Sequence, residues 1–334
     1  MRNMAKTIKS GVVLSWLFIL GLAVAVVITS PNVEQRQEDE IVRIGILQLS
    51  NHGALEEARL GIMSRLEERG YIDGENIEII LFNAQSDQSN LQLMSQQLIS
   101  EGSDVLIGIS TPATLALANE TSEVPILATA ITSLSAANLV ESYERPGGNV
   151  SGTSSMAPVA TQLELLVELT PGIQTVGFIY NASEANSAVK IEIAEEEAAR
   201  LGLETVHVTV TNTNDVAQAF QSLIGRVDGV WIPADNTIAS AMPTVGAIAM
   251  ENDLPVVNAS TTAARAGGLA TIGIDHYQLG RQVADMALDV IFNGADVAEM
   301  PVDLQFETYL FINEEFLAGS NVTIPQSLRD RLED

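Results

Sequence analysis

A chain of 334 residues that is 46% hydrophobic and 18% charged has the apolar content for a substantial core, and its length favours two domains over one. Its 43 acidic against 16 basic residues give a formal net charge of -27 at pH 7, a field that repels phosphate backbones and anionic lipid surfaces and argues against nucleic acid as a partner. The absence of cysteine excludes disulfides, thiolate catalysis, cysteine-based metal sites and a lipidated cysteine.

Arg2, Lys6 and Lys9 precede an uncharged stretch from Ser10 to Val33, apolar from Gly11 to Ile28. This pattern predicts an N-terminal hydrophobic helix that targets the membrane, with a cytoplasmic N-terminus and everything after Pro31 outside. Ala23-Val24-Ala25 has the small residues of a cleavage site, yet the apolar run is longer than a usual signal-peptide core. A retained anchor and a cleaved signal both fit, and the length favours the anchor. Residues 31 to 40 read as a polar tether.

From Ile41 onward, short β-rich runs alternate with longer amphipathic stretches, the pattern of parallel sheets covered by helices on both faces. In the first half, strands are expected at 41–49, 76–83, 104–109 and 124–129, and helices at 54–69, 87–101 and 112–120. The second half repeats the rhythm, with strands at 175–180, 204–210, 229–233, 254–258 and 269–274 and helices at 158–169, 184–201, 214–224, 236–251 and 276–293. Gly70, Gly102 and Gly202 stand where helices should end, and Asp87 and Asn214 where they should begin.

Two similar half-chains imply two doubly wound α/β lobes joined by a hinge of several chain crossings. The turn-rich segment 144–155 reads as the first crossover, with others near 273–276 and 301–305, and 303–312 reads as one strand. The expected limits are 1–40 for the hydrophobic segment and tether, 41–152 plus about 276–302 for lobe 1, and 153–275 plus about 303–334 for lobe 2.

Ligands of open parallel sheets sit beyond the carboxyl ends of the strands, so the residues just after each strand are the informative ones. Here they are Gln48, Ser50, Asn51 and His52, then Ser110 and Thr111, then Thr129 and Thr132. The second half supplies Ser183, Glu184, Asn186 and Ser187, then Asp235, Asn236 and Thr237, then Ser260 and Thr261, and finally Asp275. Any one of them alone reads as a helix cap. The clusters NASEANS and PADNT hold more hydrogen-bonding groups than a cap needs, which a binding cleft would use. Hydroxyls and free N–H groups at Ser110-Thr111-Pro112 suit a carboxylate, and Asp235 or Asp275 suits an ammonium, so a zwitterion such as an amino acid meets both.

The ordered set GILQLSNHGALEEARLGI, GYIDGENIEIILFNAQSD, GISTPAT, PGGNVSGTSS, YNASEANS, IPADNTIAS and TIGIDHYQLGRQ, spread over roughly residues 41 to 320, resembles the ABC-transporter substrate-binding family that includes tryptophan- and tyrosine-binding proteins. The resemblance implies a periplasmic-binding-protein type I fold and an extracytoplasmic protein that delivers an aromatic amino acid or related compound to an ABC permease and ATPase. Relatives from single-membrane bacteria are commonly lipoproteins, and with no cysteine here a retained helix would replace that anchor. Aromatic residues make up only 4% of the chain, leaving His52, Tyr180, Trp231 and Tyr277 as stacking candidates near strand ends.

An enzyme finds little support: His52, His207 and His276 are dispersed, no HExxH, GxSxG or GxxxxGKS spacing occurs, and no cofactor or metal is expected. A sugar-responsive repressor would need a helix-turn-helix where the hydrophobic segment stands. A sensory ectodomain acting through a membrane partner would have the same cleft, and neighbouring permease and ATPase genes would separate transport from sensing.

Overall fold

In a computed structural model that describes residues 41–304 and 307–333, the alternating segments form two six-stranded sheets. The expected hydrophobic helix, its tether and part of segment 303–312 lie outside the described residues. Among the described residues no helix is long and apolar enough to cross a membrane.

Sheet 1 contains β1 (Val42–Gln48), β2 (Ile77–Asn83), β3 (Val105–Ile109), β4 (Ile126–Ile131), β5 (Val150–Ser154) and β11 (Asp303–Leu304), in the order β11-β5-β4-β3-β1-β2 and parallel throughout. Sheet 2 contains β6 (Thr175–Asn181), β7 (Glu204–Val210), β8 (Gly229–Ile232), β9 (Val256–Asn258), β10 (Ala270–Gly273) and β12 (Tyr309–Ile312). Its order is β12-β10-β9-β8-β6-β7, parallel except for the β10/β12 pair. The interior strands β3 and β8 are buried at every residue, as a parallel sheet covered on both faces requires. The edge strand β7 is largely half-buried or exposed.

The helices around sheet 1 are α1 (Gly53–Glu68), α2 (Gln88–Ser100) and α3 (Thr111–Glu120), and α4 (Val159–Leu169) and α5 (Ala185–Arg200) follow in sheet 2. Asp87 caps α2 as expected, its side chain accepting from the Ser89 and Asn90 N–H groups. Asn214 is not the cap it resembled: Asn212 caps a 3-10 turn at Thr213–Asp215, shortening the helix expected at 214–224 to α6 (Val216–Gln221). The helix expected over 236–251 divides into α7 (Asn236–Ser240) and α8 (Met242–Glu251), because Pro243 cannot donate a backbone bond and belongs in a first turn. Then come α9 (Thr261–Gly267), α10 (His276–Asn293), α11 (Glu314–Gly319) and α12 (Gln326–Glu333). Of these only α10 was legible, the others being short.

Segment 144–155 is not simply a crossover, since its second part is β5, paired with β4. Its glycine signals close packing rather than a turn: Gly152 has φ 139°, and a Cβ there would collide with the Ala128 backbone. The segment 303–312 is likewise not one strand, for β11 pairs with β5 in sheet 1 and β12 with β10 in sheet 2. The chain therefore changes sheets after Ser154, after Gly273 and after Leu304. At the second change it enters α10, which lies against α1 with Gly61 facing the Tyr277 carbonyl and Gly280 facing the Ala58 carbonyl. Neither contact leaves room for a Cβ. Each sheet has its own apolar core, and Val283, Ala284 and Ala287 of α10 belong to that of sheet 1.

Candidate functional site

In both sheets the strand order reverses direction at the first strand of the lobe, between β1 and β3 and between β6 and β8, the place where open α/β sheets bind ligands. The loops that leave these four strands border a small cleft between the sheets, the kind of concave, largely apolar place with a few convergent polar groups that small molecules occupy. Lobe 1 contributes His52, Thr111, Ala130 and Thr132, while lobe 2 contributes Asn186, Asp235, Asn236 and Ser260. Leu55, Ile232, Ala239, Met242 and Ala263 supply apolar wall, with His276 at the start of α10.

The lobe 2 side is built by two carboxylates that organise the first turn of α7. Glu184 Oε1 accepts from Thr237 N at 3.0 Å and Thr237 Oγ1 at 2.8 Å, and its Oε2 accepts from Asn236 N at 3.0 Å and Asn236 Nδ2 at 2.6 Å. Asn186 Nδ2 adds a bond to the same Oε2 at 3.0 Å and another to the Ala234 carbonyl at 2.7 Å. Asp235 caps α7 through Oδ1, which accepts from Ile238 N at 2.8 Å. Its Oδ2 accepts from Asn181 N and Ser187 Oγ, both at 2.7 Å. Burial, reinforced by the Glu184 charge, pushes the Asp235 carboxyl up to about 7 against those stabilising bonds.

Across the cleft, His52 Nε2 meets Asn236 Oδ1 at 2.9 Å. Arg265 of α9 also reaches Glu57 of α1, at 3.7 Å. In lobe 1, Ser110 caps α3 with φ 111°, and Ala130, on the cleft wall, has φ 53° where the β4/β5 register shifts. Left-handed backbone at two non-glycine residues stores strain of order 1–3 kcal/mol each, which tends to concentrate at binding sites.

Of the residues singled out from the sequence, His52, Thr111, Thr132, Asn186, Asp235, Asn236 and Ser260 line the cleft. Glu184, Ser187 and Thr237 stand behind them as bonding partners. Ser110 and Thr129 are buried in lobe 1, Thr129 accepting from Thr153 Oγ1 at 3.0 Å. Gln48 turns away to the Ser50 carbonyl and Glu56, and Asp275 caps α10 through the Gln278 N–H. Trp231 is a core residue, fully buried against Phe178, with Nε1 donating to Gln162 at 3.1 Å. Tyr277 donates to Ser64 and Tyr180 meets His207, so His52 is the one stacking candidate on the cleft wall among the described residues.

Sequence reasoning missed two basic groups. His276 lines the cleft with Nδ1 unpaired, and burial followed by the charges of His52 and Lys190 pushes it down to about 3. Lys190 on α5 is fully buried with Nζ unpaired among the described residues. A signal was present, for Lys190 is the only lysine after Lys9 and falls four residues beyond Asn186 on an amphipathic helix.

Residues 43–332 match the family described as ABC transporter substrate binding protein. The chain is 39% identical over 274 residues to a tyrosine-binding protein of Clostridioides difficile (strain R20291), covering 82% of this chain and 79% of that one. A Streptococcus pneumoniae ABC domain in complex with L-Trp is 36% identical, with a TM-score of 0.83 over 87% of this chain and 98% of that one. The ligand-free, open structure of a substrate-binding protein with adhesive properties from Clostridium difficile is 40% identical, with a TM-score of 0.65 over 85% of this chain and 96% of that one.

Proposed function

This chain belongs to the family of ABC transporter substrate-binding proteins, a family of binding proteins rather than of enzymes, and we propose that it captures an aromatic amino acid, tryptophan or tyrosine, between its lobes. The carrying observation is the cleft itself, where strand ends of both type I lobes bring small apolar residues together with His52, Asn186, Asp235 and Asn236. Asp235 has three of roughly four acceptor positions in use, leaving one for a ligand ammonium. The small side chains of Ala130, Ala239 and Ala263 leave width for a ring.

The bond between His52 and Asn236 supports a closed arrangement. So does the closer likeness to the L-Trp complex than to the open relative, at comparable identity. Closure on a ligand follows when the ligand binds the closed state better than the open one.

Sheet membership supports a first lobe of about 41–154 plus 276–304 and a second of about 155–275 plus 307–333. The basic flank and apolar run before Pro31 support an extracytoplasmic body held by a retained helix, handing its ligand to a permease and ATPase in the membrane. Thermal-shift screening of the twenty amino acids, with sugars and nucleosides alongside, tests the reading, because a ligand specific for the native state raises its melting temperature. Stabilisation by tryptophan or tyrosine is expected. Stabilisation by a sugar or nucleoside and by no amino acid would overturn it.

A further inference from the structure

Lys190 occupies a position where a lysine is costly. Asn186, the α5 residue on the cleft wall, and Lys190 are separated by four residues and so share one face of the helix. The Lys190 side chain is 0% exposed. An ammonium has three donors and no acceptor, and its Nζ meets no partner among the described residues. Burying a charge with nothing opposite it is a large penalty that folds normally avoid by pairing or neutralisation.

The carboxylates bordering the cleft do not relieve it. Glu184 bonds Asn186, Asn236 and Thr237, and Asp235 bonds Asn181, Ser187 and Ile238, and the acceptor position Asp235 has left does not reach Lys190 Nζ. Lys190 is not itself on the cleft wall but stands one turn of α5 behind Asn186, which is, and its charge opposes protonation of the His276 ring on that wall. Burial pushes Lys190 itself down to about 8, which leaves it charged at neutral pH.

We propose that Lys190 is the anion anchor of the cleft and that the group it holds is the carboxylate of the bound amino acid. The proposal rests on the amino-acid reading above and deepens it. It moves the main carboxylate contact from the helix start at Ser110-Thr111-Pro112 to a full positive charge on the opposite lobe. A carboxylate brought in by the ligand supplies the missing partner, so the same ion pair that fixes the ligand's orientation relieves the protein's unpaired charge. Acids should therefore be selected strongly over their neutral carboxamides.

The test is calorimetric titration of the full-length protein and its Lys190→Met variant with L-tryptophan, L-tyrosine and their carboxamides. Methionine keeps the length of the side chain and removes the charge. The wild type is expected to bind an acid at least about 30-fold more tightly than the matching carboxamide. In Lys190→Met the acid should weaken by about 30-fold or more, the carboxamide should stay within about threefold, and melting of the unliganded variant should be no lower than that of the wild type. Unchanged acid affinity in a folded variant would overturn the anchor. Equal wild-type affinity for acid and carboxamide would overturn it as well, whether or not the variant folds. A wild type that binds neither amino acid, with no thermal shift from the other eighteen, removes the amino-acid reading and the anchor with it, a pattern distinct from either of the other two.

Discussion

His52 Nε2 stands 2.9 Å from Asn236 Oδ1, joining the loop after β1 to the first turn of α7 across the cleft. Asn236 Nδ2 donates to Glu184 at 2.6 Å, so the amide oxygen faces His52 and the imidazole donates from Nε2. Burial holds the His52 ring below its ordinary pKa, keeping it in that neutral form. Such a bond is worth about 1 kcal/mol. His52→Ala is expected to enlarge the unliganded protein in solution scattering and to weaken ligand binding about fivefold. Superimposable scattering profiles of variant and wild type would remove this latch.

Asp235 and His276 make opposite demands on pH. Asp235 is raised from 3.8 to about 7, so its contribution to stability is full below 3.8 and is lost as pH rises through about 7. His276 is lowered from 6.5 to about 3, so its contribution is full above 6.5 and is lost as pH falls toward 3. Between those limits the two slopes, each up to about 1.4 kcal/mol per pH unit, oppose one another. Asp235→Asn should expose the histidine slope, with melting temperature falling from pH 6.5 to 4, and His276→Gln should expose the reverse. Parallel melting profiles for wild type and both variants would contradict the pairing.

Glu184 receives only donors, and Glu184→Gln would set an amide N–H₂ against them. A loss of about 2–4 kcal/mol is expected, read as an earlier urea midpoint. Affinity should fall in parallel because Asn236 loses its support. Full stability in the variant would show that α7 is held by other means.

Gly61 and Gly280 let α1 and α10 approach backbone to backbone. Alanine would gain up to about 1 kcal/mol of helix propensity, yet the collision with a facing carbonyl should cost more, leaving Gly280→Ala about 1–3 kcal/mol less stable. Equilibrium denaturation decides the sign, and a stabilised variant would refute the close approach.

The strands and long helices were legible because their chemistry is local: VLIGI can only be a buried strand beside caps and turns of the expected kind. β5 was not, because VSGTS hides its pairing in small residues whose partners are distant. Ser151 Oγ donates to the Met300 carbonyl at 2.8 Å and Ser154 Oγ to that of Thr132 at 3.0 Å. The cleft could be located from strand ends alone, which is why His52, Thr111, Asn186, Asp235 and Asn236 were within reach. Gln48 and Asp275 occupy similar positions in the chain but bond elsewhere, a matter of side-chain direction that spacing does not carry. Lys190 was hidden by the ordinary expectation that a helical lysine faces water.

The three changes of sheet also set the order in which the molecule can be completed as it is made. When Ser154 has emerged, sheet 1 holds five strands but lacks α10, whose Val283, Ala284 and Ala287 close its core, and lacks β11. Those pieces follow only after β6 to β10, and the second core in turn waits for Ile312, Phe316, Ile324 and Leu328. Domains generally fold as units during synthesis, N-terminal first, but here neither unit is contiguous. A chain interrupted before Asp303 would carry two unfinished cores rather than one finished lobe and a tail.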